Sequence, residues 1–196
     1  MVPVDRGRLV EPAGFDAACR VPGNEWLAAH PEQGRPPAYW SAFKAPLADG
    51  FFDLCAYCAM NVPDGTVDHF VSISEDRSLA YEWTNYRFAS GGMNSSKGRA
   101  SSSDLLDPFA VGAGWFVILL PSLQMVPTDQ IPVVFRERAK KTLARLGLID
   151  DERVIRQRRQ WYAMYQNGRL SIDGLRQMAP LIAEAVVAAG ELPVLA

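Results

Sequence analysis

Apolar positions recur at helical spacing most clearly in the last third of the chain. In "PTDQIPVVFRERAKKTLARLGL", Phe135, Ala139, Leu143 and Leu146 share one face, Pro132 stands in the first turn and Gly147 follows the last, which predicts a helix. A second helix is predicted after Asp150. It carries Val154, Ile155, Trp161, Tyr162 and Tyr165 on one side and Arg153, Arg156, Arg158 and Arg159 mostly on the other. That basic side reads as a solvated face first, and a duplex-binding track is compatible with its density. A third helix, after Ser171, turns Leu175, Met178, Ile182 and Val186 inward. Upstream the pattern changes. Residues 51 to 74 are β-favouring around "PDG" at 63 to 65, which predicts two strand-like pieces joined by a turn that runs straight into "TVDHF". "GGMNSSKG" at 91 to 98 reads as a Gly-rich approach to a helix or tight loop. The first fifty residues, rich in Pro, Gly and Ala, read as an irregular arm held to a core by Trp26, Tyr39, Trp40 and Phe43, with a short helix at 38 to 48.

These patterns give an α+β chain in three stretches: an arm over 1–50, a core over 51–110, and a strand-containing connection with a helical region over 111–196. The last two are expected to pack as one domain. At 196 residues and 48% hydrophobic content there is enough chain for a sizeable core. A formal charge of −2 argues against a polybasic nucleic-acid binder, yet leaves room for an enzyme that meets phosphate through a metal and a few local cations. Three cysteines are an odd number and too few for a disulfide scaffold, so a cytoplasmic setting is expected. The start, "MVPVDRGRLVEP", has no apolar signal-peptide stretch, and the run "WFVILLPSLQMV" is short and broken by Pro121. No membrane association is expected.

The candidate chemistry lies between Cys55 and Gly98. Asp68 and Asn94 carry hard oxygen atoms suited to a divalent ion such as Mg²⁺ or Mn²⁺. His69, next to Asp68 but on the opposite side of an extended strand, is placed to act as general base. A catalytic imidazole needs a fixed tautomer, and the side-chain carbonyl of Asn85 is a candidate acceptor for its second nitrogen. Lys97 reads equally as a phosphate contact or as a helix-capping group. His30, before a proline, reads as a surface or packing residue.

The ordered set "CAYC…VDHF…WTNY…NSSKG" resembles the HNH endonuclease family, over roughly a quarter of the chain. The resemblance implies a ββα-metal core in which Asp68 and Asn94 hold the metal, His69 is the general base and Asn85 orients it. It further implies phosphodiester hydrolysis, with DNA the expected substrate. The arm and helical tail around the core are similar to bacterial HNH proteins associated with phage defence, where an activating or restraining protein partner would be expected. One element departs from the pattern. Family members with a first Cys-x-x-Cys commonly carry a second before the helical Asn, completing a zinc knuckle; here Ser90 and Met93 stand in those places. Cys55 and Cys58 are therefore expected to be a degenerate knuckle without structural zinc, behaving as small buried hydrophobes, with packing of Met93 taking over the bracing. The competing expectations are a non-catalytic nucleic-acid or partner-binding protein on a degenerate scaffold, and a structural adaptor built on the C-terminal helices.

Overall fold

The computed structural model describes residues 1–32 and 34–191. It is an α+β structure of seven α-helices, several short 3₁₀ turns and two small antiparallel sheets among these residues. The first sheet pairs β1 (Thr66–His69) with β2 (Tyr86–Ala89), Asp68 opposite Arg87 and His69 opposite Tyr86. Helix α3 (Gly91–Lys97) follows β2 after one residue and packs back on β1. Ser90 starts this helix as its N-cap, accepting from the Met93 N–H at 3.1 Å. Gly98 ends it at φ +54°, ψ −123°, a backbone conformation reserved in practice for glycine. Gly65 is required for a different reason: a Cβ there would lie 2.2 Å from the Phe88 ring, so the turn into β1 can pass against β2 only without a side chain.

The predicted hairpin over 51–74 is corrected by this topology. Before the turn there is only an isolated bridge, Leu54 to Asn61, and β1 takes its partner from beyond residue 85. Local alternation cannot reveal a partner that far along the chain. The arm is more ordered than its composition suggests, with α1 (Val21–Ala29) and α2 (Lys44–Gly50); α2 and the 3₁₀ turn over Tyr39–Phe43 before it fall where a short helix was expected at 38 to 48.

The second sheet joins β3 (Phe116–Leu119) to β4 (Gln124–Pro127), folding the apolar run around Pro121 as a hairpin. Phe116 and Ile118 point inward, while Val117 and Leu119 stay exposed. Helix α4 (Val133–Arg145) packs on β4, with Ala139 and Leu143 buried as the spacing predicts. In α5 (Glu152–Gln166), Val154 and Tyr165 are buried. Arg158 corrects the expected basic face: it is 1% exposed, and its Nη1 donates to the carbonyls of Leu123 and Leu148 at 2.7 and 2.8 Å. The predicted third helix is two, α6 (Ile172–Met178) and α7 (Pro180–Ala189), because Pro180 cannot continue α6 but suits the first turn of a new helix.

A single apolar cluster includes residues from all three stretches of the chain, among them Phe15, Phe88, Leu143 and Ile182. The helical region is also tied to helix α3 and to the segment that follows it. Arg145 donates to the Lys97 carbonyl at 3.2 Å, and Thr142 Oγ1 accepts from the Leu106 N–H at 2.7 Å. No helix among the described residues is long and apolar enough to cross a membrane.

Candidate functional site

Strand β1 alternates its side chains, and this puts its last two residues in different surroundings. Asp68 is 1% exposed. Its Oδ1 accepts from Lys97 Nζ at 2.9 Å and its Oδ2 from the Tyr57 hydroxyl at 2.6 Å. Lys97, on the last turn of α3, is equally buried and also donates to the His69 carbonyl. Burial and the adjoining Asp68 carboxylate push the Tyr57 phenol well above its ordinary value, so it remains a donor. Asp68 thus sits in a closed net of Lys97 and Tyr57.

His69 turns to the arm side. The Trp40 ring meets it edge-on, with centroids 4.6 Å apart and planes at 81°, and Tyr86 meets it similarly at 5.1 Å. His69 Nε2 lies 2.8 Å from the Ala80 carbonyl oxygen. A carbonyl can only accept, so the proton resides on Nε2 and Nδ1 is the nitrogen left to take another. Burial lowers the imidazole pKa below 6.5, against the opposing pull of the Ala80 carbonyl and Asp68. The ring is therefore neutral at pH 7, the form a general base requires.

The orienting role expected of Asn85 is corrected: its amide holds backbone and leaves the imidazole to Ala80. Asn85 Oδ1 accepts from the Val71 N–H at 2.8 Å, and Nδ2 donates to the carbonyls of Val71 and Leu79 at 3.0 and 3.1 Å. Leu79 directly precedes Ala80, so Asn85 still bears on His69, through the loop that carries the accepting carbonyl. Tyr86 supports the same carbonyl from the other side, its hydroxyl donating at 2.9 Å. For Lys97 the helix-cap reading is also replaced, since its ammonium is turned inward on Asp68 and away from bulk solvent.

Asp68, His69, Asn94 and Lys97 line one cleft of about 700 Å³. Asn94 donates weakly from Nδ2 to the Val67 carbonyl, at 3.4 Å, which commits its nitrogen and not its oxygen. One carboxylate and one amide oxygen make the sparse hard-oxygen set on which Mg²⁺ keeps most of its waters. Among the described residues no three His, Cys, Asp or Glu side chains gather as a closed metal cluster. A divalent ion of the Mg²⁺ or Mn²⁺ kind would meet only these two hard-oxygen side chains, and it would meet Asp68 with Lys97 seated on Oδ1 and Tyr57 on Oδ2.

The cleft has further residues that sequence reasoning missed. Arg35 and Arg99 are exposed on its rim, and Arg77 braces the wall formed by the arm, donating to the carbonyls of Gly34 and His30 at 3.2 and 3.0 Å. His30 is itself outside the cleft, stacked on Trp26. Trp40 was legible only as a packing aromatic, and Tyr57 lies inside the Cys-x-x-Cys, where no spacing rule singles it out.

Cys55 and Cys58 are both buried. Burial pushes the Cys55 thiol up, but hydrogen bonds from the Cys58 side chain and from backbone N–H groups of Cys58, Ser90 and Tyr57 outweigh it and bring Cys55 below its ordinary value. Cys58, as the donor of that pair, is pushed up. Ser90 and Met93, where a second cysteine pair would stand, have other work: Ser90 caps α3 and Met93 enters the apolar core. No protein-family model matches the chain, and no curated protein matches it.

Proposed function

We propose that this chain is a metal-dependent endonuclease of HNH type that hydrolyses phosphodiester bonds, with DNA as substrate. The observation that carries the reading is the convergence, in one cleft with Arg35, Arg99 and Glu32 exposed along it, of a carboxylate, an amide oxygen and a neutral imidazole with Nδ1 left to take a proton. The β1–β2–α3 order supports it, since an antiparallel pair followed by a helix is the layout that the resemblance implies.

In this reading Asp68 and Asn94 hold the divalent ion, which when bound supplies positive charge to the phosphate and its leaving oxygen. His69 takes a proton from water at Nδ1, and the Ala80 carbonyl holds its Nε2 proton in place and stabilises the imidazolium that forms. Trp40 and Tyr86 confine the ring to one plane. Arg35 and Arg99, on the rim of the cleft, supply charge for contacts to the phosphate backbone, which give affinity without reading sequence. Specificity then comes from the shape of the nucleic acid or from a regulatory protein partner. The test is conversion of supercoiled plasmid to nicked or linear forms by the purified chain with Mg²⁺ or Mn²⁺. EDTA abolishes the conversion if the reading holds, and cleavage indifferent to EDTA excludes it.

One observation favours a second reading, a nucleic-acid-binding protein without catalysis on the same scaffold. Lys97 and Tyr57 each donate to one oxygen of the Asp68 carboxylate, so both oxygens have a partner from the chain itself. That reading predicts DNA binding with no cleavage under any divalent ion.

A further inference from the structure

We propose that Lys97 is an internal counter-cation that competes with the divalent ion for Asp68, so that the cleft loads metal only as the Lys97 ammonium is drawn off. This rests on the nuclease reading above, in which Asp68 is a metal ligand. The argument begins from the burial of the pair. Asp68 and Lys97 have side chains 2% and 1% exposed and lie 2.9 Å apart. A buried carboxylate stripped of its cation is costly, so Asp68 holds one positive charge at all times. Only two occupants can supply it in this net, because the remaining contact, the Tyr57 hydroxyl on Oδ2, is neutral. Binding of a divalent ion at Oδ1 is thus an exchange of cations.

The anchoring of Lys97 suits such an exchange. Its backbone is pinned, with Arg145 donating to its carbonyl and Gly98 fixing the chain beyond it, while a flexible four-carbon stem carries the charge. The ammonium can leave Asp68 without any movement of α3. It also lines the cleft, so the displaced charge turns toward the space where a phosphate would lie. Because Lys97 links Asp68 with the His69 carbonyl, the free protein keeps α3 stapled to β1 until metal arrives.

The test is Mn²⁺ titration followed by the paramagnetic resonance signal of free Mn²⁺, on the wild type, Lys97→Met, Lys97→Gln and Asp68→Asn. Lys97→Gln keeps a donor for Asp68 without the charge, and serves where Lys97→Met is poorly folded. The expected result is Mn²⁺ binding tightened about tenfold or more by the neutral substitutions and lost in Asp68→Asn. Binding that is lost in Asp68→Asn but unchanged or weakened by loss of the Lys97 charge overturns the competition and leaves the metal site standing. Absence of Mn²⁺ binding in every protein overturns both. A measurement on the wild type alone gives an independent check: an amine-reactive label quantified by mass spectrometry should react at Lys97 faster with Mn²⁺ present, while exposed Lys44, Lys140 and Lys141 react at constant rate. Lys97 labelling that Mn²⁺ leaves unchanged or slows rules out the displacement.

Discussion

Replacing Asn85 by alanine tests whether this residue supports the histidine through the backbone. The side chain makes three hydrogen bonds, all to main-chain groups of the loop that runs from β1 to the Ala80 carbonyl. Alanine leaves one N–H and two carbonyls without that partner. An unsatisfied buried group costs about 1–3 kcal/mol, and the lower end applies because Val71 and Leu79 are only partly buried, so the loss is about 3 kcal/mol. Urea unfolding followed by tryptophan fluorescence measures it. The same loosening displaces the Ala80 carbonyl, so the folded fraction of Asn85→Ala should cleave more slowly even where substrate saturates. The opposing outcome is specific. If Asn85→Ala costs less than about 0.5 kcal/mol yet strongly shifts the pH dependence of cleavage, Asn85 acts on the imidazole directly and the backbone account is wrong.

Two other predictions follow from the same contacts. Arg158→Ala should destabilise by about 2–5 kcal/mol, since two carbonyls lose a buried charged donor, whereas Arg156→Ala on the exposed side should stay within about 0.5 kcal/mol by the same urea melt. Equal, small effects would show that the Arg158 contacts contribute little. For His69, burial lowers the folded pKa, so the stability it contributes is complete above its ordinary 6.5 and is lost as pH falls through the folded value. The acidic limb of kcat/KM should accordingly lie below pH 6.5, and a limb at or above that value would contradict a buried neutral base.

What the sequence disclosed was governed by how local each feature is. Helix α4 was legible from Phe135, Ala139, Leu143 and Leu146 because the period of one face and its two terminators lie within a single stretch. The break at Pro180 sits in plain view, but the inward positions Leu175 to Val186 continue at helical spacing across it, and the period masked the division. Arg158 was misread because its neighbours in sequence are charged, whereas its partners are carbonyls outside its own helix, Leu148 in the preceding turn and Leu123 in the β3–β4 turn. In the cleft, Asp68, His69 and Asn94 were singled out by order and spacing, and all three line the same cavity. The residues that set their state, Tyr57, Trp40, Lys97 and the Ala80 carbonyl, act across 11 to 29 positions of sequence, where no local pattern reports a partner.

The central claim, that His69 is the base of a phosphodiester-cleaving site, is tested most directly by the single-turnover cleavage rate of His69→Ala on plasmid DNA with saturating Mn²⁺. Circular dichroism should show the variant folded like the wild type. The account predicts a rate lower by about 10²–10⁴-fold, the usual contribution of a positioned general base. A folded His69→Ala that cleaves at close to the wild-type rate would contradict it.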